Sequence, residues 1–302
     1  MTTTQSISAE PSGRRIRNKP KSWTAHVSHR SALLLVAPLI IGICIFVVYP
    51  LVRLLIDSLT LGEGGLSNYA DALGSASIRK SIWMTLWMSF LVTALCLGFG
   101  ATLAWAIRTC RSPYLKALLW ATILLPFWMG VVVKTYAWSL LLANNGLINS
   151  TLVALGILDE PAQLLYTPLA VVLGMTYTMV PFAVLSLYPT MSNFDMELLN
   201  ASYGLGASRA KTMVKVWVPL MKPGFIAAGA IVFAISIGFY VTPVLLGGAQ
   251  TPFMATAIGD DIFTYFNYER AAASSVILLL IAAAVLVGAI KLVGAKTLKG
   301  SL

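Results

Sequence analysis

Charged residues are scarce in this chain, which excludes an ordinary soluble domain. Lys, Arg, Asp and Glu together make up 11% of its 302 residues, whereas a typical soluble domain carries about 25%. Hydrophobic residues make up 58%, and the mean hydropathy is +0.82. This composition is typical of a protein that crosses a membrane several times.

Histidine and cysteine are also scarce, and neither is arranged for catalysis or metal binding. The two histidines lie in a basic stretch near the N-terminus, and two of the three cysteines lie inside apolar runs. This spacing implies no disulfide framework. A phosphate-binding loop needs the pattern G-x-x-x-x-G-K-[ST] after a strand, and residues 294–297 only approach it. We therefore expect no catalytic residue, no metal site and no cofactor in this chain.

Long apolar runs are what the chain has in abundance. A membrane-spanning helix needs about 20 predominantly apolar residues, and barrel strands would be shorter and alternating. We therefore predict an all-α polytopic membrane protein with six transmembrane helices and two tails, of which the first, residues 1–30, is rich in Ser, Thr, Arg and Lys and mostly disordered. The predicted spans lie near residues 31–56, 81–107, 117–142, 165–188, 224–246 and 271–293, and the second tail covers residues 294–302.

Acidic residues are fewer than basic ones, and the two signs are divided between opposite ends of the spans. If the N-terminus is cytoplasmic, the cytoplasmic segments hold sixteen of the 21 Lys and Arg residues but three of the 11 Asp and Glu residues. Basic residues next to spans mark the cytoplasmic side, so we predict that both termini are cytoplasmic. The net charge of +10 is then an orientation signal and not a nucleic-acid-binding surface.

One polar, basic segment, from Asp195 to Gly224, interrupts the apolar runs on the predicted cytoplasmic side. Ser192 and Asp195 offer a capping pattern for a helix of about two turns, Met196 to Tyr203. Two glycines then allow a sharp turn, and an amphipathic stretch follows from Ser208. We expect two short helices along the membrane, with prolines ending the second. They are either a docking element for another chain or a linker that contacts lipid phosphates.

Candidate pathway residues lie on the other side of the membrane. Lys134 is an ionisable residue well inside a span, where a charge costs at least about 2.5–3.5 kcal/mol and therefore faces the bundle, faces a wet cavity or snorkels outward. Candidate pathway or gate residues are Lys134, Tyr136, Tyr177 and Tyr240, although aromatic belts at the interface explain the tyrosines equally well. Candidate contacts for a cationic substrate or for a binding protein are Asp260, Asp261, Tyr265 and Glu269.

The polar segment resembles the coupling motif of permease subunits of binding-protein-dependent bacterial ABC importers. That pattern is E-A-A, three residues and G, then a proline about a dozen residues later. Here Asn200-Ala201-Ser202, Gly206 and Pro219 occupy its positions. The likeness continues in Leu125-Pro126-Phe127-Trp128 and in Val180-Pro181-Phe182, which are similar to spermidine/putrescine-type permeases. It covers residues from about 31 to 293.

The resemblance implies a fold, partners and site residues. The fold would be that of a type I ABC importer permease, in the bacterial inner membrane. The partners would be a second permease, an ATPase dimer that binds the ATP and Mg²⁺, and an extracytoplasmic solute-binding protein. The segment 195–218, called the coupling segment below, would contact the ATPase. The ATPase-contact residues would be Asn200, Ala201, Ser202, Gly206, Ala207, Ser208 and Arg209 of this segment and Pro219 directly after it.

The sequence departs from the family pattern at one charged position, and the substrate stays open. Asn200 stands where the family has Glu, which fits a permease that acts beside a non-identical second permease. The resemblance implies a polyamine substrate, and phosphonate, thiamine or iron are the alternatives. A stand-alone secondary transporter would more often show paired intramembrane carboxylates or broken helices, which we do not expect here. A membrane scaffold would not need the Gly- and Pro-punctuated segment.

Overall fold

The structure is a computed structural model that describes residues 29–62 and 64–297, and these residues form helices without a strand among them. The prediction of an all-α fold is thereby confirmed. Residues 1–28 and 298–302, which hold most of the predicted tails, lie outside the described residues, so the assignments of both tails stay predictions. Contacts divide the chain into two units, Met1–Leu51 and Val52–Leu302.

The described residues contain thirteen α-helices and three π-helical turns. Five helices are long and apolar enough to cross a membrane, or six if one bent pair counts as a single span. Their bounds are α1 His29–Ile43, α2 Tyr49–Thr60, α3 Ser67–Gly74, α4 Ala76–Thr109, α5 Pro113–Trp128, α6 Val131–Leu142, α7 Leu147–Ala154, α8 Pro168–Ser192, α9 Glu197–Gly204, α10 Arg209–Thr212, α11 Val218–Ile237, α12 Met254–Phe263 and α13 Tyr268–Thr297. The π-helical turns are Cys44–Val48 between α1 and α2, Met213–Trp217 between α10 and α11, and Pro243–Gly247 between α11 and α12.

The described part of the first unit, residues 29–51, is helical, with a π-helical turn, Cys44–Val48, after α1. Its described side chains are apolar and mostly exposed, and Phe46 is 81% exposed. An apolar surface of this kind suits a bilayer, because lipid tails are as apolar as the side chains themselves.

The centre of the second unit is formed by α4, α8 and α11, which pack against one another. Small residues let these helices approach closely, as is typical of membrane bundles. A Cβ atom on Gly100 of α4 would lie 2.8 Å from the Cβ of Ala183 of α8, and one on Gly224 of α11 would lie 2.7 Å from the hydroxyl oxygen of Thr190. Around these crossings α5 packs on α8, while α13 packs on α11, α12 and α3.

The third predicted span, 117–142, is not one helix, and the expectation of unbroken helices was wrong. Residues Pro113–Trp128 and Val131–Ala154 differ in direction by 104°. The chain is extended at Met129 and Gly130 between α5 and α6. Pro126 lies one turn before the break and cannot donate a backbone hydrogen bond. Apolar composition runs evenly through the break, so composition alone could not locate it.

The fifth predicted span, 224–246, is displaced along the sequence. Helical structure runs from Arg209 to Ile237 and stops at Gly238, where residues 238–240 are not helical. Pro219 and Pro223 were expected to end one helix and begin another. Instead, both lie inside this continuous helical stretch, where each proline removes one backbone hydrogen bond. The membrane helix therefore extends directly into the coupling segment.

Short helices fill the loops on the predicted outer side. α7, Leu147–Ala154, is one of these short helices, and its Ile148 packs against the core. α12 is tied to α4 because the backbone N–H of Met254 donates to Oγ1 of Thr85 at 2.8 Å. These short helices bring the chain back over the ends of the long ones.

Candidate functional site

The coupling segment consists of α9, a tight turn and the beginning of the helical stretch from Arg209. Asp195 begins it, since its carboxylate accepts a hydrogen bond from the backbone N–H of Glu197 at 2.8 Å. Ser192 was expected to share this capping role, but it is the last residue of α8 and makes no capping contact among the described residues. The second helix has its own cap, because Ser208 Oγ accepts from the N–H of Lys211 at 3.3 Å.

Gly206 makes the turn between the two helices possible. Its φ angle is +79°, a conformation that glycine adopts freely and other residues adopt at a cost. A Cβ atom at this position would meet nothing within 4 Å, so only the backbone conformation requires a glycine. The turn is further closed by a hydrogen bond of 2.9 Å between the hydroxyls of Ser202 and Thr212. The two helices are thus held in one fixed arrangement.

The predicted ATPase-contact residues fall into two groups. Seven of them lie together around this turn, with Asn200, Ser208 and Arg209 exposed, and Ser202 and Ala207 half-buried. Pro219 lies apart from them, in the first turn of α11. An apolar surface lies beside the turn, where Leu205 is 89% exposed. Other exposed apolar residues of this surface are Leu198, Tyr203, Met213 and Val214.

One face of the coupling segment is anchored in the bundle. Phe194, Leu199 and Trp217 are buried and belong to one hydrophobic cluster with Ile107 and Met191. Trp217 also packs edge-on against Trp105 of α4, with ring centroids 5.8 Å apart. A segment with one buried face and one exposed apolar surface can bind a partner without losing its position on the bundle.

Arg108, one of the sixteen basic residues predicted to lie on the cytoplasmic side, is part of this anchor. It stands in the last turn of α4 and donates through its two terminal nitrogens to the backbone carbonyls of Met191 and Phe194. Its spacing of more than 80 residues from both partners leaves no local signal in the sequence. Only the fold brings these groups together.

A cavity of about 570 Å³ lies at the opposite, predicted outer end of the bundle. The beginning of α4, the turn near Pro243, and α12 enclose it. Asp260, Asp261 and Tyr265 line it, as does the buried Ser81, whose hydroxyl has no hydrogen-bond partner among the described residues. The structure therefore brings three of the four predicted outer residues to one place.

The two neighbouring aspartates among the candidate contacts have different surroundings. Asp261 is 2% exposed and is paired with Arg270, whose Nε lies 3.0 Å from Oδ2 and 3.1 Å from Oδ1. The two charges neutralise each other within the fold. Asp260 is exposed and makes no ion pair with a described residue, so the cavity keeps one net negative charge.

Glu269, the fourth predicted outer residue, lies elsewhere. It lines a second cavity of about 380 Å³ together with Asn68, Asp71 and Asn267. Arg270 lines both cavities. The predicted cluster is therefore divided between two sites that share one cation.

The predicted pathway residues are not assembled into one site. Lys134 lies just after the break, is 5% exposed, and makes no ion pair with a described carboxylate. Tyr136 is exposed on the same helix. Tyr177 packs against Trp138, with centroids 5.8 Å apart, and Tyr240 would contact a Cβ on Gly259 at 2.9 Å. The break also overturns the expected place of Lys134 in a straight third helix.

Two helix interruptions nevertheless meet in this region. The hydroxyls of Thr135 and Thr242 are 3.0 Å apart and hydrogen-bonded. Each threonine lies a few residues past a break, one at 129–130 and the other at 238–240. Non-helical backbone at membrane depth is tolerated where it is buried in protein or lines a water-filled cavity.

Comparison with known proteins places this chain in a family. Residues 118–296 match the family described as the binding-protein-dependent transport system inner membrane component. The chain belongs to this family. It is a permease component of an ABC importer and a multi-pass inner membrane protein.

Named relatives of this permease differ in what their names say they transport. The spermidine/putrescine transport system permease protein PotB of Escherichia coli (strain K12) is 30% identical over 195 residues, which cover 64% of this chain and 70% of the relative. The probable sulfate transport system permease protein cysT of Nephroselmis olivacea is 28% identical over 214 residues, covering 70% and 73%.

A solved structure has the same fold. It belongs to a bacterial ABC transporter involved in the import of the acidic polysaccharide alginate, with a TM-score of 0.71 and 18% sequence identity. The match covers 88% of this chain and 96% of that chain. The predicted fold of a type I importer permease is thereby confirmed.

Proposed function

We propose that this permease carries a polyamine, such as putrescine or spermidine, across the inner membrane. The relative named as a spermidine/putrescine permease, at 30% identity over 195 residues, carries this proposal. The outer cavity agrees with it in charge. Asp260 leaves that cavity with a net negative charge, and Tyr265 adds an aromatic face that attracts ammonium groups.

The coupling segment docks onto an ATPase subunit in this proposal. Its exposed apolar surface around Leu205 enters a cleft on that subunit, and Asn200, Ser208 and Arg209 lie beside it. This chain is not catalytic, and ATP and Mg²⁺ bind to the ATPase. Both termini are cytoplasmic, as the distribution of Lys and Arg predicts.

The second permease is a different chain. Asn200 carries no charge where the family pattern has a carboxylate, so the second subunit supplies the usual acidic contact. ATP binding closes the ATPase dimer and draws the two coupling segments together. The bundle then turns from inward-facing to outward-facing and receives the solute from the binding protein.

An oxyanion is the second candidate substrate. Lys134 is a buried cation without a described ion-pair partner, and one relative is named as a probable sulfate permease. A buried lysine would attract an anion and repel a polyamine. The two candidates therefore place the deciding charge at different residues, Lys134 and Asp260.

Uptake by the reconstituted complex decides between them. Vesicles would contain this permease, the second permease and the ATPase, with the binding protein outside and ATP inside. Uptake of radiolabelled putrescine and sulfate would be measured, with phosphonate, thiamine and iron as further solutes. ATP-dependent putrescine uptake supports the proposal. Sulfate uptake without putrescine uptake would overturn it.

A further inference from the structure

Arg108 binds two carbonyl groups that lie more than 80 residues away from it in the sequence. The side chain leaves the last turn of α4 and donates to the carbonyl of Met191, in the last turn of α8. Its other terminal nitrogen donates to the carbonyl of Phe194, just before the coupling segment. One side chain therefore joins the end of α4 to the end of α8 and to the residue directly before the coupling segment.

One of the two carbonyls that Arg108 binds, that of Met191, lies in the last turn of a helix. The last carbonyls of a helix have no partner within that helix, and a cation at this end is favoured by the helix dipole. Met191 already accepts a hydrogen bond from the N–H of Phe194 at 3.3 Å. Arg108 adds a charge-assisted bond to the same carbonyl, and such bonds are about twice as strong as neutral ones.

Aromatic rings hold the guanidinium on two sides. Its carbon lies 5.7 Å from the ring centroid of Trp105 and 5.8 Å from that of Phe194. Trp105 in turn packs against Trp217, and Trp217 packs against Phe225 of α11 at 5.9 Å. Trp105 of α4 therefore contacts both the guanidinium and Trp217 of the coupling segment, which in turn contacts the helix that follows that segment.

We propose that Arg108 is a positioning residue for transport, which makes the end of α4 move together with the coupling segment when the ATPase pulls on it. This proposal rests on the proposed docking of the coupling segment. We call the two hydrogen bonds from Arg108 to the carbonyls of Met191 and Phe194 the clamp. Without the clamp, the coupling segment would move relative to α4, and part of the ATP-driven motion would not reach the bundle. Arg108 itself touches neither solute nor nucleotide.

A lysine at position 108 tests whether the two simultaneous hydrogen bonds are needed or whether a positive charge is enough. Lysine keeps the charge but lacks the planar fork that serves two acceptors at once. Arg111 offers the matched control, since it is basic, lies three residues later and is exposed. The variants are Arg108→Lys and Arg111→Lys, each in the full reconstituted complex.

The expected result is uncoupling without loss of assembly. Arg108→Lys should form the complex and keep its basal ATPase, while putrescine taken up per ATP hydrolysed falls about tenfold, as expected for one lost hydrogen bond to a charged group. Arg111→Lys should match the unsubstituted complex. Equal coupling in both variants would overturn the proposal. The proposal would also be overturned if Arg108→Lys reduced the amount of assembled complex while the assembled part kept an unchanged ratio of putrescine taken up to ATP hydrolysed.

A distance measurement tests the clamp without any solute. Spin labels would be placed at the exposed Thr109 and Asn193, after serine replaces Cys44, Cys96 and Cys110. With the clamp, the label distance stays the same when ATP, Mg²⁺ and orthovanadate trap the ATPase. With Arg108→Lys it should change or broaden, and an unchanged distance would contradict the proposal. If the unsubstituted complex fails to take up putrescine, the polyamine proposal fails while this measurement still decides the clamp.

Discussion

The two halves of the second unit are built differently. In the predicted cytoplasmic half, α4, α8 and the stretch Arg209–Ile237 run without a bend like that of the outer half, and Arg108 ties the end of α4 to the end of α8. In the predicted outer half, one helix bends by 104° and another stops at Gly238. Short helices then complete that half of the bundle.

This difference indicates which half of the second unit is stiff and which half can change shape. An unbroken helix satisfies its backbone groups within itself and transmits a displacement along its axis. A broken helix frees backbone groups that must be buried in protein or lie against water. The cytoplasmic half is thus suited to transmitting motion, and the outer half to forming a pathway. The following substitutions test this contrast.

The largest effect is expected for Gly206→Val in the coupling segment. A β-branched residue at a φ of +79° costs at least about 1–2 kcal/mol, so the turn should change shape and its ATPase contact should weaken. We expect solute-stimulated ATPase activity of the reconstituted complex to fall at least about tenfold, which about 1.4 kcal/mol would produce. Gly156→Val is the control, because Gly156 has a φ of +68° and open space in an outer loop. Equal losses in both variants would show general strain and no docking role.

The close contact between α4 and α8 should be the next most sensitive feature. A Cβ on Gly100 would lie 2.8 Å from Ala183 Cβ, whereas one on Gly98 would meet nothing within 4 Å. Gly100→Ala should destabilise the bundle by about 1–3 kcal/mol, and Gly98→Ala should stabilise it by up to about 1 kcal/mol through helix propensity. Thermal unfolding in detergent measures both. Unfolding temperatures that rise in both variants would show that the crossing is loose.

A smaller effect is expected in the outer half, at Asp260. If its carboxylate attracts an ammonium group, Asp260→Asn should raise the KM for putrescine uptake about five- to tenfold, corresponding to about 1–1.4 kcal/mol. Asp260→Glu keeps the carboxylate, so its KM should lie between those of Asp260→Asn and the unsubstituted complex. Asp159, another exposed outer carboxylate, supplies the control Asp159→Asn. If Asp260→Asn and Asp159→Asn raise the KM equally, the KM depends only on the total charge of the outer surface. Asp260 would then not contact the solute.

The sequence predicted the features that depend on local chemistry. Apolar length located most spans, the sharp turn was expected at the two glycines, of which Gly206 has the positive φ, and the cap at Asp195 was expected from its residue type. The break at Met129–Gly130 could not be predicted, since apolar residues continue on both sides of it. Nor could the pairing of Asp261 with Arg270, because it requires α12 and α13 to be packed together.

The smallest effect is expected for Ser202→Ala, which removes the hydroxyl bridge to Thr212. One neutral hydrogen bond contributes about 0.5–1.5 kcal/mol, and Gly206 still sets the turn. Stimulated ATPase should therefore fall no more than about threefold, with a slightly lower unfolding temperature. Ser192→Ala is the control, because the Ser192 side chain is exposed and hydrogen-bonds to no described residue. A tenfold loss in Ser202→Ala would mean that the hydroxyl bridge, and not the glycine, fixes the coupling segment.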